Sequence, residues 1–120
     1  MTQRLVSVVI PTLNEACGIG LTLNCVPRAE LVAIGYDIEI LVVDGMSHDR
    51  TRELAAGAGA KIITEPRRGY GIPLMTGFRH AKGDLIATVD GDHTYPLEDL
   101  PRIIEILEKE RLDFITTDRF

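Results

Sequence analysis

Five short runs of β-branched and aliphatic residues punctuate the chain: LVSVVI (5–10), IEILVV (38–43), KIIT (61–64), DLIATV (84–89) and LDFITT (112–117). Between them lie stretches of helical character near 15–34, 49–58, 71–82 and 97–110. Successive strands that run in the same direction need a crossover of about this length, so the alternation predicts a mostly parallel sheet with right-handed connections. The runs at 38–43 and 84–89 are almost continuously apolar, as strands covered on both faces are. The fold class expected is α/β, a three-layer sandwich with helices on both faces of the sheet. At 120 residues the chain suits one compact domain.

Local signals refine this outline. In 97–110, Leu97, Leu100, Ile103, Ile104 and Leu107 share one helical stripe, with Glu98, Arg102, Glu105 and Glu108 off it. Pro27 should split the first helical stretch, since its ring and missing N–H interrupt the hydrogen-bond ladder. Asp49 is expected to cap the second, and Gly57 or Gly59 to stop it. Cys17 and Cys25, if on one helix, lie about 12 Å apart. A disulfide needs Cα atoms within about 7 Å, so both read as buried, reduced cysteines.

The net charge of −5 speaks against wholesale nucleic-acid binding or a basic membrane-surface patch. Arg67, Arg68, Arg79 and Lys82, however, fall within sixteen residues of one another. No apolar run approaches the roughly 20 residues of a membrane span. The N-terminal MTQRLVSVVIPTLNE turns polar too early for a secretory signal. The expected location is the cytoplasm or the cytoplasmic face of a membrane.

In a parallel sheet the carboxyl ends of all strands share one edge, and ligands bind beyond it near a reversal of strand order. Here the exits read PTLNE, DGMSHD, EPRRGYG and DGDHTYP. Each alone could be turn punctuation; together they suggest one site. In the last, Asp90 and Asp92 would project to the same side of an extended chain, their Cα atoms under about 7 Å apart. Without a cation one pKa should rise. With Mg²⁺ or Mn²⁺ the repulsion becomes attraction, and such ions complete their shell with water and substrate phosphates. Gly91 allows close approach to the backbone. A turn in which Asp92 or Thr94 caps the next helix is the alternative. His93 would point away from the pair, and His48 and His80 read as surface residues. EPRRGYG, basic and glycine-rich before a helix, suits phosphate. Neither a P-loop nor a G-x-G-x-x-G after the first strand is present.

Taken together, SVVIPTLNE, EILVVDGMSHDRT, RRGYGIPLMTGFRHAKGD and ATVDGDHTYPLEDL resemble, in order and spacing, the nucleotide-binding half of family-2 inverting glycosyltransferases with a GT-A fold. The nearest subgroup is the polyprenyl (dolichol) phosphate mannosyl- and glucosyltransferases. The resemblance implies that residues 1–120 are the Rossmann-like, nucleotide-sugar-binding N-terminal half of such a domain, the acceptor half being absent. It implies that Pro11, Leu13 and Glu15 line the nucleotide pocket and that Asp44 contacts the base or ribose. Arg68, Asp90 and Gly91 would lie against the donor. Asp90 and Asp92 would hold Mg²⁺ or Mn²⁺, with Thr94 where the subgroup often has a metal-contacting Gln. Asp92 would share the catalytic role with Arg119, which falls at the Arg of the family's S-R-F/Y motif. Leu13 replaces a frequent Tyr, and Arg50 stands where Gly is usual. Thr94 is shorter than Gln, so a water is expected between it and the metal.

The reaction so implied is inverting, metal-dependent transfer of a hexose from a GDP-mannose or UDP-glucose type donor to a polyprenyl or dolichyl phosphate. The alternative is a non-catalytic fragment that binds nucleotide or a partner. Self-association or a membrane-anchored partner is expected, and no nucleic acid. A nucleotidyltransferase would need a basic glycine-rich loop after the first strand, where PTLNEACG is acidic.

Overall fold

The computed structural model describes residues 4–69, 71–91 and 97–113. The elements follow as β1 (Arg4–Thr12), α1 (Ala16–Asn24), α2 (Arg28–Ala33), β2 (Tyr36–Asp44), α3 (Thr51–Gly57), β3 (Lys61–Thr64), α4 (Ile72–His80) and β4 (Leu85–Thr88), then a 3₁₀ turn (Leu97–Asp99) and α5 (Leu100–Lys109). All ladders are parallel and the strand order is β3-β2-β1-β4. The chain first steps outward from β1 to β2 to β3, then returns to the other side of β1. A right-handed crossover reverses its face when the direction of travel reverses. Hence α4 lies opposite α1, α2 and α3, and the domain has three layers.

Period-two alternation sorts the strands between two cores. Val6, Val8, Ile10, Ile40 and Val42 face Ile19, Leu23, Leu31, Ala55, Leu97, Leu100 and Ile104. Val9, Leu41, Val43 and Ile63 face the other way, against Leu74 and Ala81. This second layer is thin because α4 lies mainly over β1 and β2. The expectation that 84–89 is covered on both faces is therefore corrected: Ile86 is 46% exposed.

The glycines of G-x-x-x-A-x-G-D prove to be packing devices. A Cβ on Gly77 would stand 2.3 Å from Val9 Cγ1, so glycine alone lets α4 sit this close to β1. A Cβ on Gly83 would stand 2.7 Å from both the Ser7 nitrogen and the Leu85 oxygen. There the chain presses against β1, with Gly83 N–H donating to Ser7 Oγ (2.8 Å) and Leu5 N–H to Asp84 Oδ2 (2.8 Å).

Pro27 does divide the first helical stretch, and α3 ends at Gly57 with Gly59 at φ +93°. The final stretch begins as a 3₁₀ turn before α5, and Leu97, Leu100 and Ile104 are its buried stripe. Two expectations change. Arg50, not Asp49, occupies the cap position of α3. Cys17 is exposed, because the inward stripe of α1 is Ile19, Thr22 and Leu23. Of the expected strand 112–117, Leu112 and Asp113 are not extended ladder, and the remainder lies outside the described residues. No helix among the described residues is long and apolar enough to cross a membrane.

Candidate active site

The reversal of strand order falls between β1 and β4. Parallel α/β sheets bind ligands at such a point, beyond the carboxyl ends of the strands; here the segments after Thr12 and after Thr88 meet. Val9 pairs with Thr88, the last rung of that ladder, and Asp90 follows two residues beyond it. Asp90 is exposed there, while Gly91 is buried. A Cβ at Gly91 would lie 2.9 Å from Thr12 Cγ2 and 3.4 Å from Ile10 and Ile19. Gly91 thus seats the chain on the core, and Asp90 stands at the rim. Leu13, 49% exposed, occupies the opposite lip.

Next to this point the exits of β1 and β2 are tied together by a polar network. Asp44 ends β2 with no exposed surface. Its Oδ1 accepts from Thr12 Oγ1 (2.7 Å) and Ser47 Oγ (2.6 Å), and its Oδ2 from the Ser47 N–H (2.8 Å). Arg52 Nε approaches Oδ2 at 3.6 Å, supplying the opposite charge that a buried carboxylate requires. Ser47 Oγ in turn accepts from the Asn14 N–H (2.8 Å), and Asn14 Oδ1 accepts from the His48 N–H (2.8 Å).

The same arrangement repeats one residue on. The Glu15 N–H donates to Thr51 Oγ1 (2.9 Å), whose hydroxyl donates to Asp49 Oδ1. Asp49 Oδ2 accepts directly from the Ala16 N–H (3.2 Å). The hydrogen bonds from Thr51 and Ala16 hold the Asp49 carboxyl below its ordinary pKa, Thr51 contributing most. Asp49 therefore serves the start of α1 as well as that of α3, where it accepts from the Thr51 N–H. The spacing Asp44, Ser47, Asp49, Thr51 encodes this clasp: two hydroxyls each relay a backbone amide to a carboxylate. Asn14 at φ +54° and Met46 at φ +70° are non-glycine residues in the left-handed region, a conformation the clasp maintains.

A third cluster stands at the β3 exit. Glu65 is 4% exposed and accepts from Arg67 Nε (3.0 Å), Arg67 Nη2 (2.8 Å), the Arg67 N–H (3.0 Å) and Thr76 Oγ1 (2.5 Å). The bonds from Arg67 and Thr76 pull its pKa down to about 2. Arg67, though exposed, is thus committed to Glu65, and Arg68 is exposed as well.

The fold brings Pro11, Leu13, Glu15, Asp44, Asp90 and Gly91 to one edge of the sheet, with Arg68 beyond the more distant β3. Asp92, Thr94 and Arg119, expected to bind metal or act in catalysis, lie outside the described residues, as does His93. His48 and His80 are exposed, as read. Sequence reasoning missed the joint role of Asn14, Ser47, Asp49 and Thr51, and the Glu65–Thr76 contact. The only available signal was the Asp-x-x-Ser-x-Asp-x-Thr spacing.

The family model described as Glycosyl transferase family 2 matches residues 7–120. The low-salt glycan biosynthesis hexosyltransferase Agl6 of Haloferax volcanii is 38% identical over 113 residues, covering 94% of this chain and 27% of the relative. The undecaprenyl-phosphate 4-deoxy-4-formamido-L-arabinose transferase of Aeromonas hydrophila is 38% identical over 109 residues, covering 85% and 33%. The chain thus spans about a quarter to a third of these relatives' length. Among solved structures, the glucosyl-3-phosphoglycerate synthase of Mycobacterium tuberculosis in complex with Mn²⁺, UDP and glucosyl-3-phosphoglycerate superposes with a TM-score of 0.71. It is 29% identical, with 87% of this chain and 39% of that one covered. The mannosyltransferase PcManGT of Pyrobaculum calidifontis, in complex with GDP-Man and Mn²⁺, also gives 0.71, at 28% identity and 88% and 32% coverage. With a parallel α/β sheet of GT-A type and a family match across nearly its whole length, this chain belongs to glycosyl transferase family 2.

Proposed function

We propose that this chain is the donor-binding half of a metal-dependent inverting glycosyltransferase that moves a hexose from a nucleoside diphosphate sugar to a polyprenyl phosphate. The observation that carries the reading is that Asp90 and buried Gly91 follow directly on β4 at the reversal of strand order, with Gly91 against Thr12 at the end of β1, where such sheets bind nucleotides. Support comes from the two structural neighbours bound to Mn²⁺ with UDP or GDP-Man, and from a relative named for undecaprenyl phosphate.

Leu13 offers an apolar lip for the base, Pro11 and Glu15 flank it, and Asp44 closes the floor beneath the ribose. Asp90 presents a hard oxygen donor at the rim, seated there by buried Gly91, which fits Mg²⁺ or Mn²⁺. Asp90, Asp92 and Thr94 would hold the ion. When bound, it supplies positive charge to the diphosphate as negative charge gathers on the leaving group. Arg68 and Arg119 would add cationic donors to the phosphates. A lipid phosphate is already anionic near neutral pH, so it attacks with little help from a general base. GDP-mannose and UDP-glucose are the donor types proposed, at the cytoplasmic face of a membrane.

Titration calorimetry of the chain with GDP-mannose and UDP-glucose, in Mn²⁺ and then in EDTA, tests the reading. Binding should require metal and vanish in Asp90→Asn. Metal-independent binding, or none to either donor, refutes it. Donor binding without transfer to polyprenyl phosphate would instead identify a non-catalytic binding fragment.

A further inference from the structure

The first amides of a helix ordinarily attract phosphate, because they lack intrahelical partners and carry the positive end of the helix dipole. At the entry to α1 the successive amides of Asn14, Glu15 (the cap residue) and Ala16 (the first helical residue) are received by Ser47 Oγ, Thr51 Oγ1 and Asp49 Oδ2, at 2.8, 2.9 and 3.2 Å. Two of the acceptors are relayed to the carboxylates of Asp44 and Asp49. This corner already contains two anionic side chains, and these three donors are spent.

We propose that Ser47, Asp49 and Thr51 are positioning residues for the donor. They withdraw the amides of residues 14–16 from the diphosphate and hold the turn through Leu13 and Glu15 in one geometry, so that the nucleotide meets a preformed wall. The proposal rests on the donor-binding reading above. By refusing phosphate here, the clasp leaves the rim at Asp90 as the place where the diphosphate binds. A turn that samples its competent form only a tenth of the time would bind about tenfold more weakly.

The residue to replace is Thr51, whose hydroxyl both accepts and donates, while its shape is kept by Val. Thr51→Val should speed hydrogen exchange at the Glu15 amide and weaken GDP or UDP binding in Mn²⁺ about tenfold. Thr51→Ser should restore both, which a loss of packing alone would not allow. Wild-type affinity in Thr51→Val despite faster exchange overturns the positioning role, and unchanged exchange overturns the clasp. Should Thr51→Val fail to fold, the wild-type chain decides. Its amides at residues 14–16 should exchange slowly, and their ¹⁵N–¹H shifts should stay put when pyrophosphate and Mg²⁺ are titrated in. Fast exchange, or shifts concentrated at those amides, refutes the proposal. If the wild-type chain binds no nucleotide while these amides are protected, the donor reading fails and the clasp stands.

Discussion

Gly77→Ala and Gly20→Ala are the same chemical change in two helices, and the structure assigns them opposite signs. At Gly20, in α1, an added methyl meets nothing within 4 Å. Alanine should there stabilise by up to about 1 kcal/mol, through helix propensity and a less flexible unfolded chain. At Gly77, in α4, the methyl would lie 2.3 Å from Val9 Cγ1 and 3.3 Å from Val9 Cγ2, with Val43 Cγ2 at 3.4 Å. Val9 is completely buried in the sheet centre and cannot withdraw. Overpacking of this severity costs about 3 kcal/mol; with about 1 kcal/mol returned by helix propensity, the net loss is about 2 kcal/mol. For a domain of this size each kcal/mol moves Tm by about 4 °C, so Gly77→Ala should melt about 8 °C lower and Gly20→Ala slightly higher. Thermal unfolding by circular dichroism measures both. A double-mutant cycle locates the cause: in a Val9→Ala background, both clashing methyls are gone and Gly77→Ala should cost almost nothing. A Gly77→Ala penalty unchanged by Val9→Ala, or a Tm no lower than that of Gly20→Ala, would refute the packing argument.

Three further outcomes follow from named contacts. The folded-state pKa of Glu65, about 2, lies below its ordinary value of 4.5; its contribution to stability is therefore full above pH 4.5, shrinks as pH falls and is gone near pH 2. Glu65→Gln should flatten acid unfolding across that window, as followed by circular dichroism. Arg67→Ala, which strips the buried Glu65 of its ion-pair partner, should lower Tm, whereas Arg68→Ala should leave Tm unchanged and weaken nucleotide binding in calorimetry. Gly83→Ala sets a methyl against the Ser7 nitrogen and Leu85 oxygen, backbone atoms that cannot yield as a side chain does, so its loss of Tm should exceed that of Gly77→Ala.

What could be read from the residues is what depends on local periodicity. Strand runs separated by helical stretches specify a parallel α/β sheet, because short-range pattern decides which face of each element is apolar. Pro27 ended a helix through its own ring, and Gly59 followed one through its own φ. Loops ending in Asp, Asn and Gly at each strand's carboxyl end pointed to one functional edge, and parallel pairing supplied that edge.

Partners distant in sequence were decided by tertiary structure. Asp44 is singled out by its motif, but its partner Thr12, thirty-two positions away, is not. Asp49 read as a cap for its own helix, yet half of its carboxylate serves the amide of Ala16, thirty-three positions earlier. The two glycines of G-x-x-x-A-x-G-D give no hint in sequence that Val9 and Ser7 lie against them. Periodicity tells which side chains turn inward, but hydrogen-bond partners depend on which strands become neighbours and in what register. Here that order, β3-β2-β1-β4, sets α4 on the opposite face, puts Asp90 at the reversal beside β1 and brings Ser47, Asp49 and Thr51 to the amides of residues 14–16.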